Sequence, residues 1–242
     1  MSFIPRIFLG AIATLIAPLP AGADPRAVVE LFTSQGCSSC VSADAFMADL
    51  AARSDVIPLA FHVDYWDYLG WRDTFGRPEH SARQRDYAAV QGSRRIYTPQ
   101  MVVNGTTEMV GSKRSAVDTA IAGASFPVSV SLSRKDGALA IEVGSRPLPG
   151  SRPTTIRLVL FSSAIDVKIT RGENAGSTVR YHNVVRAFRP IGMWDGAVVK
   201  ITLPENELLG DGIDGLAVLV QEEVPGGPGA ILGAAQLSTL QP

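Results

Sequence analysis

Hydrophobic and polar positions follow two different textures along this chain, and the change falls near residue 125. In the first half, short β-branched runs are separated by helical stripes. "AVVELFT" (27–33) reads as a buried strand that ends in polar residues. After the turn "SQG", the segment "CSSCVSADAFMADLAAR" places Val41, Ala45, Phe46, Leu50 and Ala51 on a helical stripe. "VIPLAFHVDY" (56–65) is a second strand-like run, and with a helix between them the two strands are expected to be parallel neighbours in a right-handed crossover. Residues 66–95 are polar and aromatic, with a short helix in "PEHSARQRDYAAVQG" closed by Gly92. "RIYTPQMVVNGTTEMVGS" gives two strands joined at Asn104-Gly105, a strong hairpin signal. "SKRSAVDTAIAGA" (112–124) follows as a helix with Ser112 as its N-cap.

From Phe126 the pattern is one of short strands. "VSVSLS" and "ALAIEVG" flank Asp136-Gly137, a second hairpin. After a connection containing Pro and Gly come "TTIRLVLFSS", "AIDVKITRG", "TVRYHNVVRAF", "AVVKITL", "GLAVLVQEE" and "AILGAAQLS", with turn residues between them. Such spacing argues for an antiparallel sandwich or partial barrel. The expected fold class is therefore α/β: an α/β domain over residues 24–125, followed by a β-rich, sandwich-like domain over 126–242.

The N-terminus changes this picture by adding a compartment. Arg6, the apolar run "IFLGAIATLIAPLP" and Ala21-Gly22-Ala23 have the layout of a secretory signal peptide over residues 1–23. The run is too short, and too broken by Pro18 and Pro20, to span a bilayer comfortably. No other stretch is apolar enough for a transmembrane helix, so the mature chain is expected to be secreted or periplasmic. Cleavage removes one of 22 basic residues and none of 23 acidic ones, which takes the formal charge from −1 to −2. There is no basic run and hence no nucleic-acid footprint. Hydrophobic residues make up 46%, enough for a real core.

Cys37 and Cys40 are the only cysteines, in "SQGCSSC", at the junction of the first strand and first helix. In an oxidising compartment a lone pair tends to be a disulfide. A thiolate at a helix N-terminus faces unsatisfied N–H groups and the positive end of the macrodipole, so Cys37 is the candidate nucleophile. Cys40, one turn further in, is the candidate resolving thiol. Ser38 and Ser39 add hydroxyl donors but no positive charge, which predicts a less oxidising pair than one with histidine between the cysteines. As a staple the pair closes too few residues to constrain the unfolded chain much. A closed zinc site needs four ligands, and besides the cysteines the chain offers His62, His80 and His182. Copper(I) accepts two thiolates, so a copper-binding role stays open beside the redox one.

The C-x-x-C at the start of the first helix, with "YTPQ" before a later strand, resembles a thioredoxin-like domain. "VVELFTSQGCSSC…AD", "LAFHVDYWDYLGW", "YTPQMVVNG" and "GENAG…YHNVV" together look like a bacterial exported family, the domain-of-unknown-function 1223 family, over essentially the whole mature chain. In that family two prolines typically follow the second cysteine, where Val41-Ser42 stand here. The resemblance implies a thioredoxin-like fold with an appended β region and brings no established substrate. It implies a cis Thr98–Pro99 bond lying against the cysteines, where Thr98 pairs with an extended substrate; only X–Pro bonds adopt cis at low cost, about 0.5–1 kcal/mol. It also places Glu30 near the buried acid that exchanges protons with the resolving cysteine; the alternative is a carboxylate paired to an arginine or exposed at a strand edge.

Strand ends in an open parallel sheet gather functional groups, so His62 to Trp66 are expected at the same edge as Cys37. His62 and Asp64 share a strand face. Tyr65, Trp66, Tyr68 and Trp71 form either a peptide-binding wall or core packing. Arg171, Glu173, Asn174, Tyr181 and His182 form either a polar cluster near the first domain or a mobile hairpin. The resulting expectation is thiol–disulfide exchange on protein thiols or disulfides, without a metal or cofactor and with a redox partner protein as a candidate partner. Catalytic roles fall to Cys37, Cys40, Pro99 and Glu30, and substrate contacts to Thr98, Ser38, Ser39, Trp66 and His62. The alternative is a non-catalytic binding protein for copper(I) or a protein partner.

Overall fold

The computed structural model describes residues 25–147, 152–208 and 210–238. The signal peptide expected at residues 1–23 lies outside the described residues. What is described is mixed α/β, with a large sheet and few helices.

Strand β1 (Ala27–Thr33) is buried on both faces, which explains its near-continuous apolar run. It pairs in parallel with β2 (Val56–His62) and antiparallel with β3 (Gln100–Val103). Between β1 and β2 runs α1 (Val41–Ala51). Phe46 and Leu50 of the expected stripe are buried, together with Ala43, Asp44 and Met47, whereas Val41 and Ala45 are exposed. Phe46, Met47 and Leu50 carry more apolar area than Val41 and Ala45, so they set which face turns inward. β2 stops at His62 rather than Tyr65, so Asp64 is a loop residue. Helix α2 (Pro78–Val90) starts on a proline, whose missing N–H costs nothing at that position.

β3 and β4 (Thr107–Val110) form the expected hairpin, with Asn104 and Gly105 at positive φ. Gly105 is needed for a second reason: a Cβ there would stand 2.3 Å from the Gly229 carbonyl oxygen. Helix α3 (Arg114–Ala122) is capped by Lys113 without a side-chain bond; Ser112 lies one residue too early to cap it. β5 (Val130–Lys135) and β6 (Ala138–Val143) are joined by Asp136-Gly137, both at positive φ as a tight two-residue hairpin demands.

The remaining strands are longer than the sequence pattern suggests. "TTIRLVLFSS" and "AIDVK" form one strand, β7 (Thr154–Lys168), paired antiparallel with β8 (Thr178–Met193). β9 (Val199–Pro204), β10 (Gly215–Val224) and β11 (Gly227–Ser238) follow. An eight-stranded sheet runs β11-β10-β7-β8-β2-β1-β3-β4, and a three-stranded one runs β5-β6-β9. Residues on both sides of position 125 thus share one sheet. The splice is a single parallel pairing, Ala60↔Val184. Pro58 has no N–H to extend that ladder, and its carbonyl accepts from Asn183 Nδ2 at 2.8 Å instead.

Period-two alternation sorts the core into layers. Ala27, Val29 and Leu31 of β1 pack with α1 and with Val117 and Ile121 of α3. Val28 and Phe32 face the other way, with Tyr87 of α2, and that layer continues to Val159 and Phe161 of β7 and Leu219 of β10. The three-stranded sheet covers Leu158, Leu160, Leu216 and Val218.

Candidate functional site

Cys37 and Cys40 are joined in a disulfide, with Cα atoms 5.4 Å apart. β1 ends at Thr33, Ser34 to Gly36 turn the chain, and Cys37 caps a single 3-10 turn (Ser38–Cys40). Cys40 then caps α1. Both residues are buried, Cys40 completely and Cys37 at 4% exposure.

Three separate segments hold this loop in place. The first precedes β3. Thr98 Oγ1 donates to Cys37 Sγ at 3.2 Å and accepts from Trp66 Nε1 at 2.7 Å, and the Thr98–Pro99 bond is cis. The second is the insert between β2 and α2. Its Asp73 accepts from the Gln35 amide at 2.7 Å, while Trp71 Nε1 donates to Gln35 Oε1 at 2.9 Å. The third is the β7–β8 loop. Glu173 Oε2 accepts from Ser38 Oγ at 2.8 Å and from the Ser38 amide at 3.3 Å, and Asn174 Nδ2 donates to the Gln35 carbonyl at 2.9 Å. Gly172 of that loop packs so closely on Trp71 that a Cβ would sit 3.0 Å from the Trp71 Cβ. The polar-cluster reading of this loop therefore describes Glu173 and Asn174. Tyr181 instead lies edge-on to the His62 ring, 4.9 Å between centroids, and His182 lines a cleft with Ala48 and Ala52 of α1.

Beneath the disulfide lies a buried polar cluster. Thr33 and His62, adjacent in the β1–β2 register, point to the α1 side of the sheet. Thr33 Oγ1 donates to Asp44 Oδ1 at 2.8 Å, and His62 Nδ1 lies 2.8 Å from Asp73 Oδ2. Burial drives the Asp44 carboxyl up to about 7, against the opposing pull of His62 and the Thr33 hydrogen bond. For His62 burial acts downward, but the Asp73 carboxylate outweighs it and the imidazole is raised. Asp73 is correspondingly lowered: burial acts upward, yet His62 and the Gln35 and Phe75 amides prevail. The other ring nitrogen, His62 Nε2, is buried without a hydrogen-bond partner. Asp44 lies four residues after Cys40, so both occupy the same buried face of the helix one turn apart.

Two residues are not where the sequence reading puts them. Glu30 lies on the opposite sheet face, with Val28 and Phe32, away from α1 and the cysteines. There it binds Arg83 in two hydrogen bonds of 2.7 and 3.1 Å and accepts from the Tyr87 hydroxyl. The arginine-paired alternative is the arrangement found, because α2 places Arg83 directly over β1. His62 is fully buried and lines no substrate surface; it is paired with Asp73 and packed edge-on against Phe75 and Tyr181. The outer rim is made by Ser38, Ser39 and Val41 on one side, and on the other by half-buried Trp66 stacked on Tyr68, which is 76% exposed.

Asp44, Asp73 and Gln35 are site residues that the pattern reading passed over. For Asp44 a signal exists: an acid four residues after the second cysteine, flanked by Ala43 and Met47 on the buried stripe. Asp73 and Gln35 carry no such mark, since loop contacts bring them in. Among the described residues no group of three or more His, Cys, Asp or Glu is arranged to hold a metal ion. None of the described helices is long and apolar enough to cross a membrane.

Comparison with known proteins adds a family and a fold. The model of a family described as "Protein of unknown function (DUF1223)" matches residues 28–221. Protein AGR_C_4864 from Agrobacterium tumefaciens is 32% identical, with a TM-score of 0.79 over 90% of this chain and 96% of that one. HBP35 of Porphyromonas gingivalis is 13% identical, with a TM-score of 0.59 over 90% of this chain and 77% of that one, a likeness of fold alone. No curated protein matches the chain.

Proposed function

The chain belongs to the DUF1223 family, and from that premise we propose that it is an exported thiol–disulfide exchange protein acting on protein thiols or disulfides. We read residues 24–125 as a thioredoxin-like domain and 126–242 as its β-rich extension. The observation that carries the proposal is a disulfide at a strand-to-helix junction whose first sulfur accepts from Thr98, beside the cis Thr98–Pro99 bond. Cys37, at 4% exposure, accepts from Thr98 beside the rim of Trp66 and Tyr68, while Cys40 is fully buried one helical turn before Asp44.

A substrate thiolate attacks Cys37 Sγ, and the Cys37–Cys40 bond breaks with its electron pair passing to Cys40. Asp44, near half-protonated at neutral pH, hands its proton to the Cys40 thiolate. A second substrate thiolate then attacks the substrate sulfur of the mixed disulfide and releases Cys37. The substrate leaves as a disulfide and the protein as a dithiol. In the reverse direction Asp44 takes the proton from Cys40, which then resolves the mixed disulfide. Thr98 and Pro99 line the place of the extended substrate chain beside Cys37, with Trp66 and Tyr68 as its apolar wall.

The test is trapping. Cys40→Ala should accumulate mixed disulfides with thiol proteins through Cys37, and Cys37→Ser should accumulate none. No trapped partner in either variant, with equal loss of bound copper(I) in both, would replace exchange with the metal-binding reading.

A further inference from the structure

Glu173 stands out once the loop contacts are compared. Among the described residues it is the only ionisable side chain hydrogen-bonded to residues 37–40. Its partner is Ser38, the first residue of the 3-10 turn that Cys37 caps. The amide it engages is one of the free N–H groups at the turn's start, the same groups that would stabilise a negative sulfur on Cys37. It arrives from far along the chain, on a loop fixed independently by Asn174 on the Gln35 carbonyl and by the close seat of Gly172 against Trp71. The charge is therefore positioned, not merely passing.

We propose that Glu173 sets the balance between disulfide and dithiol at Cys37–Cys40, by holding a carboxylate against the amide that would otherwise stabilise the Cys37 thiolate. This rests on the exchange reading and adds its direction. In the disulfide state there is no negative sulfur to repel, and the carboxylate is favourably placed at the N-terminus of the turn. On reduction, two electrons enter the sulfur pair and Cys37 is left as thiol or thiolate. The thiolate then competes with Glu173 for one amide and repels it as a like charge. Glu173 thus disfavours the thiolate and favours the disulfide, so the pair acts toward partners as an electron donor. The other charged groups packed around the loop are Asp73, which accepts from the Gln35 amide, His62 paired with it, and Asp44 one turn after Cys40. Those groups are the same in the variants below, so they cancel in the comparison.

The experiment uses the full chain reduced with a phosphine, and titrates the Cys37 thiol by its alkylation rate against pH. Glu173→Gln keeps the hydrogen-bond shape and removes the charge. At a pH below the titration midpoint it should raise the thiolate-to-thiol ratio by about three- to tenfold. Asn174→Ala, which frees the loop without touching the charge, should shift the ratio the same way. The gap between wild type and Glu173→Gln should shrink in high salt. In a glutathione redox buffer at mildly alkaline pH, both variants should move toward the dithiol. Unchanged alkylation profiles in both variants would overturn the role of Glu173. A shifted thiol titration in a protein that exchanges with no disulfide substrate would instead leave Glu173 standing and remove the exchange reading.

Discussion

Asp44 offers the sharpest quantitative check. Its carboxyl is buried, bonded to Thr33, and raised from 3.8 to about 7. In the unfolded chain it ionises near 3.8, so between that value and 7 the native state holds a proton that the unfolded state has lost. The contribution to stability is therefore full below pH 3.8 and is lost as pH rises through 7. At about 1.4 kcal/mol per pH unit, the loss between pH 5 and pH 8 is about 2–3 kcal/mol. Asp44→Asn cannot titrate and lacks this loss. The amide leaves an NH2 group in a buried site, which costs about 1–3 kcal/mol at every pH, so the signature is the pH slope and not the offset. Urea unfolding of the disulfide form, followed by tryptophan fluorescence from pH 5 to 8, measures both. The difference in unfolding free energy between wild type and variant should move by about 2–3 kcal/mol in the variant's favour across that range. Parallel curves would show that Asp44 is ionised throughout, and would remove it as the proton partner of Cys40.

Other perturbations follow from the same contacts. Arg83→Met strands the Glu30 carboxylate in the core and should cost about 3–5 kcal/mol in urea unfolding, while the glutathione equilibrium of the cysteines stays unchanged because Glu30 faces away from them. Phe32→Ala removes a fully buried ring that packs on Phe61 and Tyr87, with an expected loss of about 3–5 kcal/mol by the same assay. Gly105→Ala forces a side chain into a left-handed turn and onto the Gly229 carbonyl; the backbone term alone is about 1–2 kcal/mol, read as a lowered Tm. Trp66→Phe deletes the hydrogen bond that fixes the Thr98 hydroxyl, and at about 1 kcal/mol it should slow mixed-disulfide formation roughly fivefold in stopped flow.

Local features of the fold were legible in the sequence because they depend on neighbours along the chain. β1 needs only a β-branched run, α2 only a proline at its start and a glycine at positive φ just past its end, and the two hairpins only Asn-Gly and Asp-Gly at positive φ. The cysteine junction was legible for the same reason. Pairing partners were not. Alternation in "TVRYHNVV" says which side chains share a face, yet nothing in it says that Val184 will lie beside Ala60. Glu30 illustrates the limit at the site: its place on a strand before the cysteines was clear, but the side it faced depended on register, and its partner on a helix fifty-three residues later. Glu173 reaches Ser38 across 135 positions, a distance over which no spacing rule operates.

The β7–β8 hairpin does two things at once. Its second strand supplies the Ala60↔Val184 splice, and its tip delivers Glu173 and Asn174 to the cysteine loop. β10 pairs with β7 from Gly215 to Glu222, so the outer strands and the hairpin that touches the cysteine loop belong to one continuous ladder. Severing the chain at residue 125 would therefore strip Glu173 and Asn174 from the cysteine loop and lay bare the edge of β2 in the same cut.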